Sequence, residues 1–252
     1  MSSKSKIWYS ILDRKEYEGN APAFYNTDMF PWNRELEANY HVIYEELKAY
    51  LNTGDSLQAY FNQSMVSRKD SWKTIALMAW GVRFSRKIRR FPETMRMLDR
   101  IPGLVSVSFN LLEPNSEIVP HFGDTNAIVR CHYGLDIPGG LPETGFRVKQ
   151  EERAWEPGKT LIFCDGYTHT AWNNTDKPRF ILLFDVVLPE FQSRKNRVCA
   201  AILSSLFLQS RAGRLGIRKE PPAWLLYLLF TSAKGAAYLS RPLYNATGKI
   251  FS

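Results

Sequence analysis

Apolar side chains recur at steps of three and four along PWNRELEANYHVIYEELKAYL, residues 31–51. This period is typical of an amphipathic helix, and the Asn-Thr-Gly triplet behind it favours a helix end. The segment RFPETMRMLDRI, residues 90–101, predicts a second helix that stops before a Pro-Gly pair. Residues 1–30 show no clear period. We therefore expect an irregular arm over 1–30 and helices over 31–103.

From residue 104 the pattern changes to short segments of β composition, which Pro-Gly and Asp-Gly turns separate. The segment 126–138 alternates, so that Arg130 and His132 share one strand face while Cys131 and Tyr133 share the other. Strands are expected over 104–114, 126–138, 145–150, 153–165, 168–174 and 179–189. The arrangement predicts a mainly β domain with flanking helices, residues 31–191, whose core over 104–191 is a jelly roll (double-stranded β-helix).

The overall composition is that of an ordinary globular protein, since 44% of the 252 residues are hydrophobic and 23% are charged. The net charge of +8 is unevenly distributed. Residues 192–252 contain ten Lys or Arg residues and a single acid, Glu220, whereas residues 1–191 contain 23 basic and 24 acidic residues. The basic character therefore belongs to a C-terminal appendage, residues 192–252.

Two apolar stretches lie in this appendage, at residues 197–208 and 222–239, and basic residues flank both. Neither is an uninterrupted apolar run of the roughly 20 residues that cross a bilayer. One interpretation is a basic amphipathic segment lying on an anionic membrane surface, which the concentration of charge favours. The other is a helical pair packed on the β domain. Nucleic acid is not expected as a partner, because no recognised binding module accompanies the charge.

The three cysteines, Cys131, Cys164 and Cys199, are widely spaced and form no Cys-x-x-Cys motif. That pattern argues against a disulfide framework or a structural zinc site. The N-terminal residues contain no apolar run of signal-peptide length. We therefore expect a cytoplasmic protein, which is peripheral at the inner face of a membrane if the appendage binds lipid.

Three of the four histidines, His121, His132 and His169, fall in the predicted β region. A jelly roll directs side chains from facing strands into its interior, so ligands far apart in sequence can meet there, and His121 and His169 form a candidate metal pair. Iron sites with two histidines and one carboxylate usually carry the acid two residues after the first histidine. In VPHFGDTN, Gly123 stands at that position, and the acid, Asp124, comes one place later.

Arg179 follows His169 by ten residues and begins the apolar strand RFILLFDVV. An arginine there points either inward to an anion or outward to solvent. A dicarboxylate such as 2-oxoglutarate leaves one carboxylate for a fixed cation inside the barrel, which a planar guanidinium binds through two parallel hydrogen bonds. The spacing from the candidate distal histidine favours the inward position.

The segments PHFGDTNAIVRCHYGLDIP, WEPGKTLIFCDGYTHTAWNN and RFILLFDVVLPE resemble the aspartyl/asparaginyl β-hydroxylase family of Fe(II)- and 2-oxoglutarate-dependent dioxygenases. The family's motifs occur in the same order and spacing, although Cys164-Asp165 covers its Phe-Asp step one place late. Upstream, DSWKTIALMAWG and FPET are also similar to the family. The resemblance covers roughly residues 25–191 and implies a cupin-like fold and a hydroxylase that needs Fe(II), 2-oxoglutarate and O2.

The resemblance also implies roles for individual residues. His121 and His169 match the two iron ligands, and Arg179 matches the arginine that holds the distal carboxylate of 2-oxoglutarate. Arg130 and His132 match residues that contact this cosubstrate near the metal.

Two further matches are looser. Trp72 matches an upstream tryptophan of the same pocket. A family serine that helps to hold 2-oxoglutarate falls at Asn110, and this departure puts the assignment in doubt, although an amide can still donate a hydrogen bond.

The animal members of the family also carry a glycine at the third ligand position, where water completes the coordination. Gly123 is therefore the expected residue. Asp124 is either a loop acid that hydrogen-bonds nearby backbone or a second-shell partner of a metal-bound water.

Three classes of function remain open. Bacterial relatives include enzymes that hydroxylate lipid acyl chains, and the basic appendage favours such a substrate at a membrane surface. Other relatives act on aspartyl or asparaginyl residues or on amino-acid building blocks. A non-catalytic cupin-like binding module, or a membrane adaptor acting through the appendage, is the alternative from another class.

Overall fold

The computed structural model describes residues 6–55, 57–60, 62–215 and 221–247. Seven α-helices lie in these ranges: α1 (Ser10–Asp13), α2 (Asn33–Ala38), α3 (Tyr40–Leu51), α4 (Ser85–Ile88), α5 (Pro92–Leu98), α6 (Lys195–Arg214) and α7 (Ala223–Thr247). The same ranges contain twelve strands: β1 (Phe24–Tyr25), β2 (Gln58–Ala59), β3 (Trp72–Ala79), β4 (Val82–Arg83), β5 (Leu104–Leu112), β6 (Ser116–His121), β7 (Ile128–Asp136), β8 (Thr144–Val148), β9 (Glu151–Arg153), β10 (Thr160–Phe163), β11 (His169–Asn173) and β12 (Arg179–Val187).

The strands form two antiparallel sheets. The larger has the order β1-β10-β7-β12-β5-β3-β2, with β4 paired to β3, and the smaller has the order β6-β11-β8-β9. The central strands β5, β7 and β12 are buried along almost their whole length. Helices α2, α3 and α5 cover one face of the larger sheet, and the smaller sheet packs on the other. The predicted jelly-roll fold with flanking helices is confirmed, and its interior lies between the two sheets.

The alternation predicted for residues 126–138 is confirmed in β7. Arg130 and His132 line a cavity between the sheets. Cys131 and Tyr133 point the other way, into the core shared with the helices. There the Tyr133 hydroxyl donates a hydrogen bond to the Leu36 carbonyl at 2.9 Å. The period of two thus separates the residues of the site from those that anchor the helices.

Several predicted boundaries were wrong. The expected helix over 31–51 is two helices, with a break at Asn39, whose amide donates to the Glu35 carbonyl at 2.7 Å. The region 31–103, expected to be helical, contains β2, β3 and β4, and β3 pairs with β5 inside the larger sheet. Its Lys, Leu, Met and Ala residues favour helices, but pairing with β5 outweighs that propensity.

Two more strands were not predicted. The arm over residues 1–30 is less irregular than expected, because β1 pairs with β10 at the edge of the larger sheet. Strand β6 ends at His121, in a stretch that reads as a loop in the sequence. The expected helix over 90–101 is confirmed as α5, with Pro92 in its first turn, where the missing N–H is tolerated.

The two helices of the basic appendage differ in their surroundings. All side chains from Val198 to Ser205 in α6 are buried, because α6 lies between the larger sheet and α7. Helix α7 packs on this layer through Phe230 and Ala237, while most other side chains over residues 223–239 are exposed or half-buried. No helix in the described part of the chain is long and apolar enough to cross a membrane.

Candidate metal centre

Two histidines meet at one end of the smaller sheet. His121 is the last residue of β6 and His169 is the first of β11, and the antiparallel register places them directly opposite each other. Their ring centroids are 4.2 Å apart. The pairing of β6 with β11 therefore brings together the two residues that the sequence predicts as metal ligands.

The backbone orients both rings in the same way. His121 Nδ1 lies 2.8 Å from the Val119 carbonyl oxygen, and His169 Nδ1 lies 2.8 Å from the Tyr167 carbonyl oxygen. Since a carbonyl only accepts hydrogen bonds, each Nδ1 carries the proton and each Nε2 keeps its lone pair. This carbonyl-anchored tautomer is the one that metal-binding histidines commonly adopt.

Burial keeps both rings neutral. It lowers the pKa of His121 to about 4 and lowers the pKa of His169 well below its ordinary value. Neutral imidazole is the form that binds divalent transition metals. Within the described ranges no group of three His, Cys, Asp or Glu side chains forms a metal cluster. The donor set is thus a histidine pair that fits Fe(II) if water or a cosubstrate supplies the other ligands.

A second aspartate explains why position 123 holds glycine. A Cβ atom added to Gly123 would overlap Asp165 Oδ2, so the carboxylate of Asp165 fills the space that a third-ligand side chain needs. The backbone of this loop also holds Asp165, because Gly123 N–H donates to the Asp165 carbonyl at 2.7 Å. Asp165 Oδ1 lies 3.8 Å from His169 Nε2.

Asp165 is the site residue that the sequence reasoning missed. It is fully buried, and burial raises its pKa to about 7, although the Arg130 guanidinium 2.6 Å away opposes the shift. Two signals pointed to it: it stands four residues before His169, and it completes the Phe-Asp step of the family motif.

The Asp124 side chain contacts residues of α1 and α6. Its carboxylate accepts weak hydrogen bonds from the hydroxyls of Ser10 and Ser205, each at 3.4 Å. It is not among the described residues that line the cavity. A hydrogen bond from a metal-bound water to the Asp124 side chain therefore stays a prediction, while Asp165 is the aspartate that lies beside Gly123 and His169. The carboxylate of Asp124 instead joins the metal loop to α1 and α6.

Arg130 belongs to a buried ion-pair network. Its Nε and Nη2 donate to the two carboxylate oxygens of Asp185 at 2.8 and 3.1 Å, and its Nη1 contacts Asp165 Oδ1. The arginine also lines the cavity next to the histidine pair. Two carboxylates thus hold its guanidinium in one orientation, so that it presents a fixed positive charge beside the metal ligands.

Arg179 lies in the interior, where no described residue gives it an anionic partner. It begins β12, is 2% exposed, and its guanidinium lies 4.3 Å from the centre of the Trp155 ring. No carboxylate of the described residues pairs with it, and its Nε has no hydrogen-bond partner among them. Burial lowers its pKa to about 9. Because an unpaired buried charge is costly, this arrangement suits an anionic ligand.

One cavity connects these groups. Its lining contains seven of the eight residues singled out in the sequence: Trp72, Asn110, His121, Arg130, His132, His169 and Arg179. Ile118, Phe146, Ala171, Ile181 and Leu183 complete the wall. An apolar pocket with a few convergent polar groups is the usual form of a small-molecule site.

Trp72 and Asn110 form a hydrogen bond with each other in the wall of the cavity. The Trp72 indole N–H donates to Asn110 Oδ1 at 2.9 Å. The Asn110 amide donates to the Ser108 carbonyl and hydroxyl at 3.0 and 2.8 Å. All polar atoms of the Asn110 side chain are therefore engaged within the protein. For Asn110, a direct hydrogen bond to the cosubstrate remains a prediction that requires one of these bonds to break.

Comparison of sequences gives a consistent result. A family model described as aspartyl/asparaginyl beta-hydroxylase matches residues 37–189. The chain is 35% identical over 186 residues to the ornithine lipid ester-linked acyl 2-hydroxylase of Rhizobium tropici, a match that covers 72% of this chain and 66% of that protein. It is 28% identical over 176 residues to the human aspartyl/asparaginyl beta-hydroxylase, covering 67% of this chain and 23% of that protein. The matches thus span less than two thirds of either relative.

Solved structures with a similar chain path are distant. A DMSP lyase from Ruegeria pomeroyi DSS-3 has a TM-score of 0.38 and 14% identity, covering 55% of this chain and 60% of that one. A Cupin 2 conserved barrel domain protein from Salinispora arenicola has a TM-score of 0.34 and 12% identity, covering 56% and 87%. Likenesses of this size carry no information about function.

Proposed function

Because the chain belongs to the aspartyl/asparaginyl β-hydroxylase family, we propose that it is an Fe(II)- and 2-oxoglutarate-dependent hydroxylase. One observation carries the proposal. The cavity that contains two backbone-anchored, neutral histidines also contains a buried arginine with no anionic partner among the described residues. A metal ion would bind the two histidines, and a carboxylate would pair with the arginine.

In this proposal His121 and His169 hold the iron through their Nε2 atoms. Iron, 2-oxoglutarate and O2 together supply the oxidation, in which the cosubstrate becomes succinate and CO2 while one oxygen atom enters a C–H bond of the substrate. Arg179, lying against Trp155, binds the distal carboxylate of 2-oxoglutarate at the apolar end of the cavity. The apolar wall excludes water from the reacting carbon.

The remaining charged groups act next to the metal. Arg130, fixed by Asp185, presents its charge to the end of 2-oxoglutarate that faces the metal. His132 has a buried Nδ1 without a partner among the described residues and is the second polar group available to the cosubstrate. Asp165 excludes a third protein ligand and accepts a hydrogen bond from water in that position.

We favour a lipid acyl chain as the substrate. The relative from Rhizobium tropici is named as a lipid acyl 2-hydroxylase, and the appendage combines positive charge with exposed apolar residues. An aspartyl or asparaginyl residue, or an amino-acid building block, is the alternative that the name of the human relative suggests. A non-catalytic binding module is less consistent with the retained histidine pair.

The test is an anaerobic titration of the full chain with Fe(II) and 2-oxoglutarate. A weak visible absorption band is expected when 2-oxoglutarate chelates Fe(II) that is bound to the protein. We expect the band in the wild-type protein and in the His41→Ala variant, because His41 is exposed on α3. His121→Ala and His169→Ala should abolish it. A wild-type protein that folds but shows neither the band nor 2-oxoglutarate binding contradicts the proposal.

Substrate choice requires a second measurement. Succinate release is compared in the presence of ornithine lipid, an aspartyl peptide and free amino acids, and hydroxylated product is identified by mass spectrometry. Product from the lipid alone supports the favoured substrate. Product from the peptide or an amino acid alone replaces it with the alternative.

A further inference from the structure

Helix α7 has apolar residues on two opposite faces. Its inner face packs against α6 and the arm through the buried Phe230 and Ala237. A second stripe on the opposite side recurs at steps of three and four and is exposed. Its members are Trp224, Tyr227, Leu228, Thr231, Gly235, Tyr238 and Leu239. We call this stripe the outer face of α7.

The large side chains of the outer face are strongly exposed, from 49% for Tyr238 to 66% for Trp224 and 79% for Leu239. A single exposed leucine is ordinary, but five large apolar or aromatic side chains along one side of a helix mark an interaction surface. Tryptophan and tyrosine are typical of the membrane–water interface, where the ring lies among apolar groups and the N–H or O–H reaches water.

The charge of the appendage favours an anionic bilayer over a second copy of the chain as the partner of this face. Residues 223–247 contain no acidic residue, and residues 192–252 carry ten basic residues against one acid. A second copy of the chain would bring an equally basic appendage, so dimerisation through this face would oppose like charges. An anionic bilayer instead attracts the appendage and accepts the apolar side chains.

The N-terminal arm connects α7 to the metal end of the barrel. The Tyr9 ring lies 5.8 Å from the Phe230 ring, and the Arg14 guanidinium donates to the Pro221 carbonyl at 2.6 Å. On its other side, Ser10 N–H donates to the Asp124 carbonyl at 3.1 Å, three residues after His121. The arm therefore contacts both α7 and the loop that follows the first histidine.

We propose that the outer face of α7 is a docking surface for anionic lipid bilayers. A lipid substrate for the docked protein rests on the proposed function, but binding itself does not. Trp224, Tyr227, Leu228, Tyr238 and Leu239 insert at the level of the lipid headgroups. The basic residues of the appendage supply the attraction to anionic lipid.

The test is co-sedimentation of the full chain with vesicles of phosphatidylglycerol and phosphatidylcholine, against phosphatidylcholine alone, at low and high salt. We expect binding to the anionic vesicles that weakens with salt. Leu228→Glu/Leu239→Glu should lower the partition coefficient at least about tenfold, since each change removes an apolar side chain from the interface. Met29→Glu/Val42→Glu, which adds the same charge at exposed apolar residues outside the appendage, should change it less than about threefold.

Two outcomes overturn the proposal. One is equal binding by the wild-type protein and the outer-face variant. The other is absence of vesicle binding together with a dimer, measured by light scattering, that the outer-face variant loses. The chelate band with Fe(II) and 2-oxoglutarate is recorded on the same samples. If the outer-face variant keeps the absorption band but no longer binds vesicles, membrane docking is independent of the metal site. If vesicle binding depends on the outer face but the wild-type protein shows no band, the docking proposal stands and the proposed function fails.

Discussion

The barrel interior and the outer face of α7 depart from the usual distribution of side chains in opposite ways. In the interior, the cation Arg179 is buried without an anionic partner among the described residues. On the outer face, Trp224 and Leu239 expose apolar surface to water. Each arrangement costs free energy in the isolated chain. The two regions therefore suit partners of opposite chemistry: a small dicarboxylate in the barrel interior and an apolar phase at the outer face of α7.

The largest effect is expected from Arg179→Met. Loss of its charge-assisted hydrogen bonds, worth about 1.5–3 kcal/mol, should weaken 2-oxoglutarate binding by roughly 10- to 100-fold. The ligand-free protein should keep or gain stability, because the change removes an unpaired buried charge. Isothermal titration and thermal unfolding without ligand measure the two effects.

Arg147→Met is the matched control, since Arg147 lies on β8 with a half-exposed side chain 3.6 Å from Glu152. It should leave 2-oxoglutarate binding unchanged. A large loss of ligand-free stability in Arg179→Met would mean that groups of the protein itself already stabilise the charge of Arg179. The contrast between the two regions would then disappear.

Asp165→Asn and Asp124→Asn separate the two aspartates of the metal loop. Asp165→Asn should reduce Fe(II) affinity or turnover by roughly 10- to 100-fold, the usual cost of removing a partner of the metal ligands. Asp124→Asn should have a much smaller effect, because its carboxylate contacts only Ser10 and Ser205 among the described side chains. Fe(II) titration and succinate release measure the difference, and equal losses in the two variants would refute the assignment.

Gly123→Ala and Gly123→Asp test the space beside the histidine pair. A Cβ at this position meets the Asp165 carboxylate, so both variants should lower stability by about 1–3 kcal/mol and impair turnover. Combining Gly123→Ala with Asp165→Ala should recover the stability, because the contact is removed. Turnover by Gly123→Asp at the wild-type level would show that the pocket has room for a third protein ligand.

The smallest effect belongs to the outer face of α7. Leu228→Ala should change the free energy of unfolding by no more than about 0.5 kcal/mol, since the side chain packs little in the folded chain. Ile202→Ala, in the buried part of α6, should lower it by about 2–4 kcal/mol. Chemical denaturation measures both. A large cost at Leu228 would mean that the outer face contributes to the fold and is not available to a partner.

Some elements were predictable because their causes are local. The alternation around Arg130 and His132 assigns both to the inner strand face, and the spacing of the motifs predicts the histidine pair. Strand β3 was not predictable in this way, because its residues favour helices and form a strand through pairing with β5. Asp165 stands in the motif, but nothing in its sequence neighbourhood shows that its carboxylate occupies the space beside Gly123.

The sequence by itself determined the β-rich core, the pair His121 and His169, the inward face of β7 and the basic character of the appendage. These follow from residue type and period, which act over a few residues. Only the tertiary structure decided that Asp165 lies at the histidine pair instead of Asp124, and that α6 is buried while α7 exposes an apolar face. The physical reason is that exclusion of space and burial depend on segments far apart in the chain.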